Sequence, residues 1–220
     1  MVTLGVIASP RAAGNTATAV RDVLSELGAR GAAVSEVQLA GSSIRPIGDC
    51  RRCIEAGRCD RVDDEFEAVM ARVYEADVLV LGTPLYWYGP SGQLKVFLDR
   101  WSCLLDREEE LFRSRMRGKR TLLVLAQGER GFYEAGPCLQ SLEWSLRYLG
   151  MPVVGRIVVV GHARGDYASD EPQRAAVRAV GARLEEAQSL DLLPPWFHVT
   201  YRPGGELGGV FRPDSEEVRR

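Results

Sequence analysis

The chain has 220 residues, 45% hydrophobic and 26% charged, enough for one globular domain with a sizeable core. A formal net charge of -2 and an isoelectric point near 5.8 exclude the cation excess that nucleic acid or an anionic membrane surface demands. The opening Met-Val-Thr-Leu has no basic flank or cleavage pattern, no apolar run approaches the ~18 residues of a membrane span, and the five cysteines are an odd number; together these predict a cytoplasmic protein in a reducing compartment.

In chain order, residues 4–8 form an apolar run of strand length. It stops at Ser9-Pro10-Arg11-Ala12-Ala13-Gly14-Asn15-Thr16 and gives way to helical periodicity over 16–27, with Ala19, Val20, Val23, Leu24 and Leu27 on one stripe. A second strand is expected at 33–39, followed by a segment carrying Cys50, Cys53 and Cys59. Phe66, Val69, Met70 and Val73 predict a helix over 64–75, and a third strand follows at 78–81. Leu94, Phe97, Leu98, Trp101 and Leu105 mark a helix over 93–105. Strands at 121–126 and 153–160 and helices at 139–149 and 173–188 complete the alternation.

Five strands alternating with five helices predict an α/β protein, a doubly wound parallel sheet with helices on both faces, spanning residues 1–189. Residues 190–220 are rich in Pro and Gly yet contain Trp196, Phe197, Tyr201 and Phe211, and read as an irregular arm that packs on its own domain or on a partner subunit.

Open parallel sheets bind ligands beyond the carboxyl ends of their strands. After the first strand, Ser9, Arg11, Gly14, Asn15 and Thr16 offer hydroxyls, amides, a cation and a helix N-terminus, the parts of a phosphate cradle; the alternative is a plain helix cap at Asn15 or Thr16 with Gly14 in the turn. After the third strand, Tyr86, Trp87 and Tyr88 stand between Pro84-Leu85 and Gly89-Pro90, where three adjacent rings suit either a planar ligand or a protein contact. No G-x-G-x-x-G or G-x-x-x-x-G-K-[ST] occurs, which leaves a mononucleotide rather than a dinucleotide or a P-loop ligand.

The stretch "SPRAAGNT" after strand one and "GTPLYWYGPSGQLKVFLDR" after strand three, with Ser91, Gly92, Leu94, Lys95, Asp99 and Arg100 in the second, resemble the flavodoxin-like NAD(P)H-dependent FMN reductase family and its iron-sulfur flavoprotein relatives. The resemblance covers residues 1 to about 165 and implies strand order 2-1-3-4-5 and non-covalent FMN. It places the phosphate at Ser9, Arg11, Gly14, Asn15 and Thr16, and the isoalloxazine ring against Pro84, Leu85, Tyr86, Trp87, Tyr88 and Gly89. Gln127, Gly128 and Gly161, with their neighbouring loop residues, would close the pocket. The implied activity is hydride transfer from NADH or NADPH to FMN, then reduction of a small acceptor such as a flavin or quinone, by a homodimer or higher homo-oligomer. A flavodoxin-type electron carrier and a flavin-dependent biosynthetic enzyme remain alternatives.

Iron-sulfur relatives carry four closely spaced cysteines where this chain has Ile47, Cys50, Cys53 and Cys59; Ile cannot ligate, so no metal site is expected. His162 and His198 belong to no nucleophile motif, and no acid/base residue is assigned, because hydride transfer is the flavin's own chemistry. Arg11 and Arg164 are candidate partners for the nicotinamide-nucleotide phosphates.

Overall fold

Strict alternation inside each strand sorts the side chains into two layers, one on each face of a parallel sheet. The computed structural model describes residues 1–48, 54, 63–128, 135–184 and 190–192. Its strands are β1 (Val2–Ile7), β2 (Ala33–Gln38), β3 (Val78–Pro84), β4 (Arg120–Gln127), β5 (Val153–Val160) and β6 (Leu190–Leu192). Its helices are α1 (Asn15–Ala29), α2 (Phe66–Glu75), α3 (Gly92–Asp99), α4 (Trp101–Met116), α5 (Ala135–Tyr148), α6 (Asp166–Ser169) and α7 (Glu171–Ala182).

In β3, Val78 and Val80 join α1, Tyr167 and Val177 in one buried cluster, while Leu79 and Leu81 join α2, α3, α4 and α5 in the other. β4 repeats the division, with Leu122 and Val124 on the α1 side and Leu123 and Leu125 opposite. Every strand pair is parallel, in the order β2-β1-β3-β4-β5-β6. The five-stranded order 2-1-3-4-5 is the expected one, extended by β6 beyond β5.

β6 lies in the segment assigned to an irregular arm: Leu190, Asp191 and Leu192 pair with Gly155, Arg156 and Ile157. Three residues are too few to show a period, so pattern alone could not find this strand. Residues 193–220, with the arm's aromatics, lie outside the described residues. The helix expected over 93–105 is instead two, α3 and α4, and α4 runs on to Met116 through a kink at Glu108 (φ -150°, ψ 47°). Buried Phe112 and Met116 continue the apolar stripe, which the charged run from Asp106 to Glu110 hides in the sequence.

Arg100 and Asp64 form an ion pair with both side chains only 1% exposed. Asp64 also accepts from Phe66 N (3.0 Å) and Arg45 N (3.3 Å), while Arg100 donates to Arg45 O (3.1 Å) and lies over the Phe66 ring at 4.4 Å. Ser43 N donates to Glu65 (2.6 Å) and Glu65 N to the Ser43 hydroxyl (3.0 Å), so both ends of the cysteine-bearing segment are tied together and to α3. Cys50, Cys53 and Cys59 themselves lie outside the described residues. Cys103 and Cys138 are buried in α4 and α5, and burial pushes the Cys138 thiol up to about 12.

Removing one partner of a buried pair strands the other charge, so Asp64→Asn is expected to lower the unfolding free energy by about 3–5 kcal/mol in urea titrations. Burial pushes the Asp64 carboxyl up, but the Arg100 hydrogen bond and two backbone amides outweigh it and hold it below its ordinary range. The pair's stabilisation is therefore complete above about pH 4 and is lost as pH falls toward the lowered folded value. Asp64→Asn should remove that part of the acid limb of the stability profile.

Candidate functional site

At the carboxyl ends of β1, β3, β4 and β5 hydrogen bonds stitch the described strand ends and the loops that follow them into a closed ring. Ser91 Oγ, from the loop after β3, donates to Ala8 O at the end of β1 (2.6 Å). Leu85 N donates to Ala126 O in β4 (2.8 Å), and Gly161 N, just past β5, donates to Gln127 O (2.9 Å). Asn15 Nδ2, from the start of α1, donates to Gly161 O (3.0 Å) and closes the ring. The reversal of strand order lies between β1 and β3, where the first two loops are neighbours.

The loop after β1 is held from outside. Ser9 is buried, and its hydroxyl donates to Arg11 O (3.2 Å) and accepts from Arg11 N (3.1 Å), closing a small turn. Gln38 donates to Ser9 O, and Arg21 Nη1 donates to Ala12 O (2.6 Å) while pairing with Glu36 (2.7 Å). Gly14 is the N-cap of α1, in extended conformation (φ -84°, ψ 171°), and no side chain caps the helix. α3 and α7 begin differently: the Ser91 hydroxyl accepts from Leu94 N, and the Asp170 carboxylate from Gln173 N. The capping alternative for Asn15 and Thr16 therefore does not describe α1. A fifteen-residue helix begins with unpaired amides, no acidic residue in its first turn, and the exposed Arg11 on the preceding loop. That set suits a phosphate by hydrogen bonding and by the helix dipole.

The Asn15 side chain serves another purpose than the one expected. Its four hydrogen-bonding positions all go to the backbone of residues 161–167. Among the phosphate candidates it offers its main-chain amide and not its side chain.

After β3 the chain turns at once. Tyr86 and Gly89 exchange both backbone hydrogen bonds (3.0 Å each), and the two residues between them, Trp87 and Tyr88, have φ of 50° and 63°. Positive φ at both central positions is the geometry of a type I′ turn, which normally takes Asn-Gly. Trp87 is 95% exposed and Tyr88 57%, so two rings stand in water on a left-handed backbone. The Thr83 hydroxyl accepts from Ser91 N (2.9 Å) and donates to Pro84 O (3.0 Å), holding the base of this turn. Pro84 ends β3 and Leu85 is half-buried against the core.

Gln127 ends β4 and is buried, and Gly128 follows beside the His162 ring. His162, Ala163 and Arg164 are exposed. The expected site residues thus lie at the carboxyl ends of β3 and β4, in the loops after β1, β3, β4 and β5, and at the start of α1. Sequence reasoning passed over the ring's supports, Thr83 and Asn15 as a clasp. The signal for Thr83 was a hydroxyl directly before Pro84 at a strand end, which a lone pattern does not separate from β-propensity. A cavity of about 360 Å³ lies between α3, α4 and α5, lined among others by Pro90, Leu98, Trp101, Leu105 and Tyr148.

The model of the family described as NADPH-dependent FMN reductase matches residues 1–165. YwqN of Bacillus subtilis, named as an NAD(P)H-dependent FMN-containing oxidoreductase, is 30% identical over 167 residues, 76% of this chain and 88% of its own length. An iron-sulfur flavoprotein of Methanocaldococcus jannaschii is 37% identical over 100 residues, 46% of this chain and about half (51%) of its own. The structure of the Trp repressor binding protein from Bacillus subtilis superposes with a TM-score of 0.63 at 23% identity, over 84% of this chain and 99% of that one, a likeness of fold.

Proposed function

The chain belongs to the NADPH-dependent FMN reductase family, and from that premise we infer how its loops share the work. It is an FMN-dependent oxidoreductase that takes a hydride from NAD(P)H and reduces a second small-molecule acceptor. Bound FMN supplies the two-electron chemistry; the protein supplies binding, orientation and local electrostatics.

The observation that carries the assignment of the site is the uncapped start of α1. In this reading the amides of Asn15 and Thr16, the Thr16 hydroxyl and the Arg11 guanidinium hold the FMN phosphate. Ser9 keeps the loop in shape, and Gly14 leaves the helix start unobstructed. Pro84, Leu85 and the turn from Tyr86 to Gly89 lie along the isoalloxazine ring, with Trp87 and Tyr88 giving up water contact for ring contact. Gln127, Gly128 and Gly161 form the opposite wall, and Arg164 at the mouth meets the donor's phosphates. The acceptor is a planar, ring-bearing molecule of flavin or quinone type, which uses the same aromatic slot once the donor has left.

An anaerobic absorption spectrum, recorded before and after one equivalent of NADPH and then of NADH, tests this. Oxidised-flavin bands that bleach promptly with either donor are expected. Bands that resist both donors would favour the electron-carrier alternative, and a protein that takes up no FMN would remove the assignment of residues 9–16.

A homodimer or higher oligomer is proposed on separate ground. Trp144 and Tyr148 are 56% and 64% exposed one turn apart on α5, and Tyr148 lines the cavity between α3, α4 and α5. In this reading the two rings form part of the contact between copies of the chain. Sedimentation velocity of the full chain should give at least twice the monomer mass, with Trp144→Glu, Tyr148→Glu shifting it to monomer. No helix among the described residues is long and apolar enough to cross a membrane. The odd number of cysteines supports a reducing, cytoplasmic setting.

A further inference from the structure

A primary amide has two N–H donors and a carbonyl with two lone pairs, and Asn15 uses all of them on one loop. Nδ2 donates to Gly161 O and Ala163 O at 3.0 Å each, and Oδ1 accepts from Gly165 N at 3.1 Å and Tyr167 N at 3.4 Å. Residues 146 to 152 positions apart in the sequence are thus joined by a single side chain. Asp22, two helical turns along α1 on the same face, makes a second attachment. Its carboxylate accepts from Tyr167 Oη (2.8 Å) and from Arg174 Nε (2.9 Å) and Nη2 (2.8 Å). The loop after β5 is therefore fastened to α1 by Asn15, and the helices that follow it, α6 and α7, by Asp22.

Gly161 fits this contact closely: a Cβ there would lie 2.4 Å from Asn15 Nδ2, closer than real atoms approach. Its glycine is explained by the Asn15 side chain that fills the place of the missing Cβ.

We propose that Asn15 and Gly161 are a matched pair, and that Asn15 is a positioning residue for cofactor binding. By closing the ring of loops it fixes the 161–165 wall against the phosphate-side loop, so that both ends of the cofactor meet a pocket of set width. Asn15 acts on the bound molecule through this wall and through its own main-chain amide. The proposal rests on the FMN reading above and has a readout independent of it.

The test is a double-mutant cycle with Asn15→Ala, Gly161→Ala and the double variant in the full chain, read in two ways: FMN affinity by fluorescence quenching, and the thermal midpoint of the FMN-free protein. Each single variant is expected to weaken FMN binding about tenfold or more. Gly161→Ala should add less than about twofold in the Asn15→Ala background, because the 2.4 Å collision is gone and the remaining 3.2 Å approach to Asp166 Cβ asks for a shift of only a few tenths of an ångström. Asn15→Asp keeps size and Oδ1 but turns an acceptor toward two carbonyls, and should be no better than Asn15→Ala. Penalties that simply add in both readouts, or FMN affinity within about twofold of the parent for Asn15→Ala, would overturn the proposal. If the parent takes up no FMN, the cofactor reading fails by itself and the clasp is judged on the thermal midpoints, where the same non-additivity supports it and additivity overturns it.

Discussion

Trp87→Asn combined with Tyr88→Gly is expected to make the FMN-free protein more heat-stable and to weaken FMN binding at least about 100-fold. Both residues sit at positive φ in a two-residue turn whose flanking residues are paired in both directions. For residues other than glycine that backbone region costs roughly 1–2 kcal/mol each, and Asn-Gly is the pair the turn prefers. Trp87 is 95% exposed, so its removal takes nothing from the core. A net gain of about 1–2 kcal/mol would raise the thermal midpoint by roughly 2–8 °C in a domain of this size. The cofactor sees the opposite change. Two rings that pass from water onto a flavin each contribute about 1.5–3 kcal/mol by burial, with ~0.5–1.5 kcal/mol more from ring geometry. Losing the pair removes at least ~3 kcal/mol, which is about two decades of affinity. Calorimetry of the FMN-free protein and an FMN titration measure the two effects. A variant that loses stability and keeps its affinity would show the turn to be a structural anchor. A variant that gains stability and loses affinity would show the strain to be stored for the ligand, in the way functional sites keep unfavourable backbone that the rest of the fold over-determines.

The fold was legible because its strands and helices differ in period. Val78 to Leu81 stands out as a short, wholly apolar run, whose alternation between two cores only the structure shows, and α2 shows its stripe at Phe66, Val69, Met70 and Val73 without help from the tertiary structure. β6 was not legible, because Leu190–Leu192 is too short to establish a period, and its place is decided by the unpaired edge of β5. The site was legible as a set of loops and not as a set of contacts. Ser9, Gly14, Trp87 and Gly161 could be placed at strand ends from the chain order alone. That Asn15 turns away from the loop that contains it, toward residues some 150 positions distant, depends on where α1 crosses the sheet. Ser91 shows the same limit: its capping of α3 is readable from the pattern, while its bond to Ala8 O, which joins the first two loops, is not. Side-chain amides and hydroxyls are chosen by partners that the fold brings to them, and local sequence carries no trace of those partners.

Gly14→Asp is expected to leave the folded protein almost as stable as the parent and to weaken FMN binding by about 10³-fold. Gly14 has φ -84° and ψ 171°, backbone that any residue adopts, so glycine is not there for its conformational freedom. A Cβ would lie 3.1 Å from Arg11 Cβ and 3.2 Å from Arg11 O, a tight fit that the loop relieves by a shift of a few tenths of an ångström. Against that strain stands the capping bond that Asp makes with the open amides of α1, worth about 0.5–2 kcal/mol, so the two nearly cancel in the FMN-free protein. With phosphate present they do not cancel. The new carboxylate takes the amides the anion needs and adds a negative charge beside it. At ~4 Å and an effective dielectric of about 20, a single pair of like charges costs about 4 kcal/mol, roughly three decades of affinity. Gly14→Ser separates the two contributions, since a hydroxyl competes for the amides without the charge. Its loss should stay near tenfold, within the ~0.5–1.5 kcal/mol of a neutral hydrogen bond. FMN titrations of the three proteins should therefore rank parent, Gly14→Ser and Gly14→Asp in descending affinity, with the Asp variant alone improving at high salt. Equal affinities across the series would place the phosphate away from α1, and the missing cap would then need another explanation.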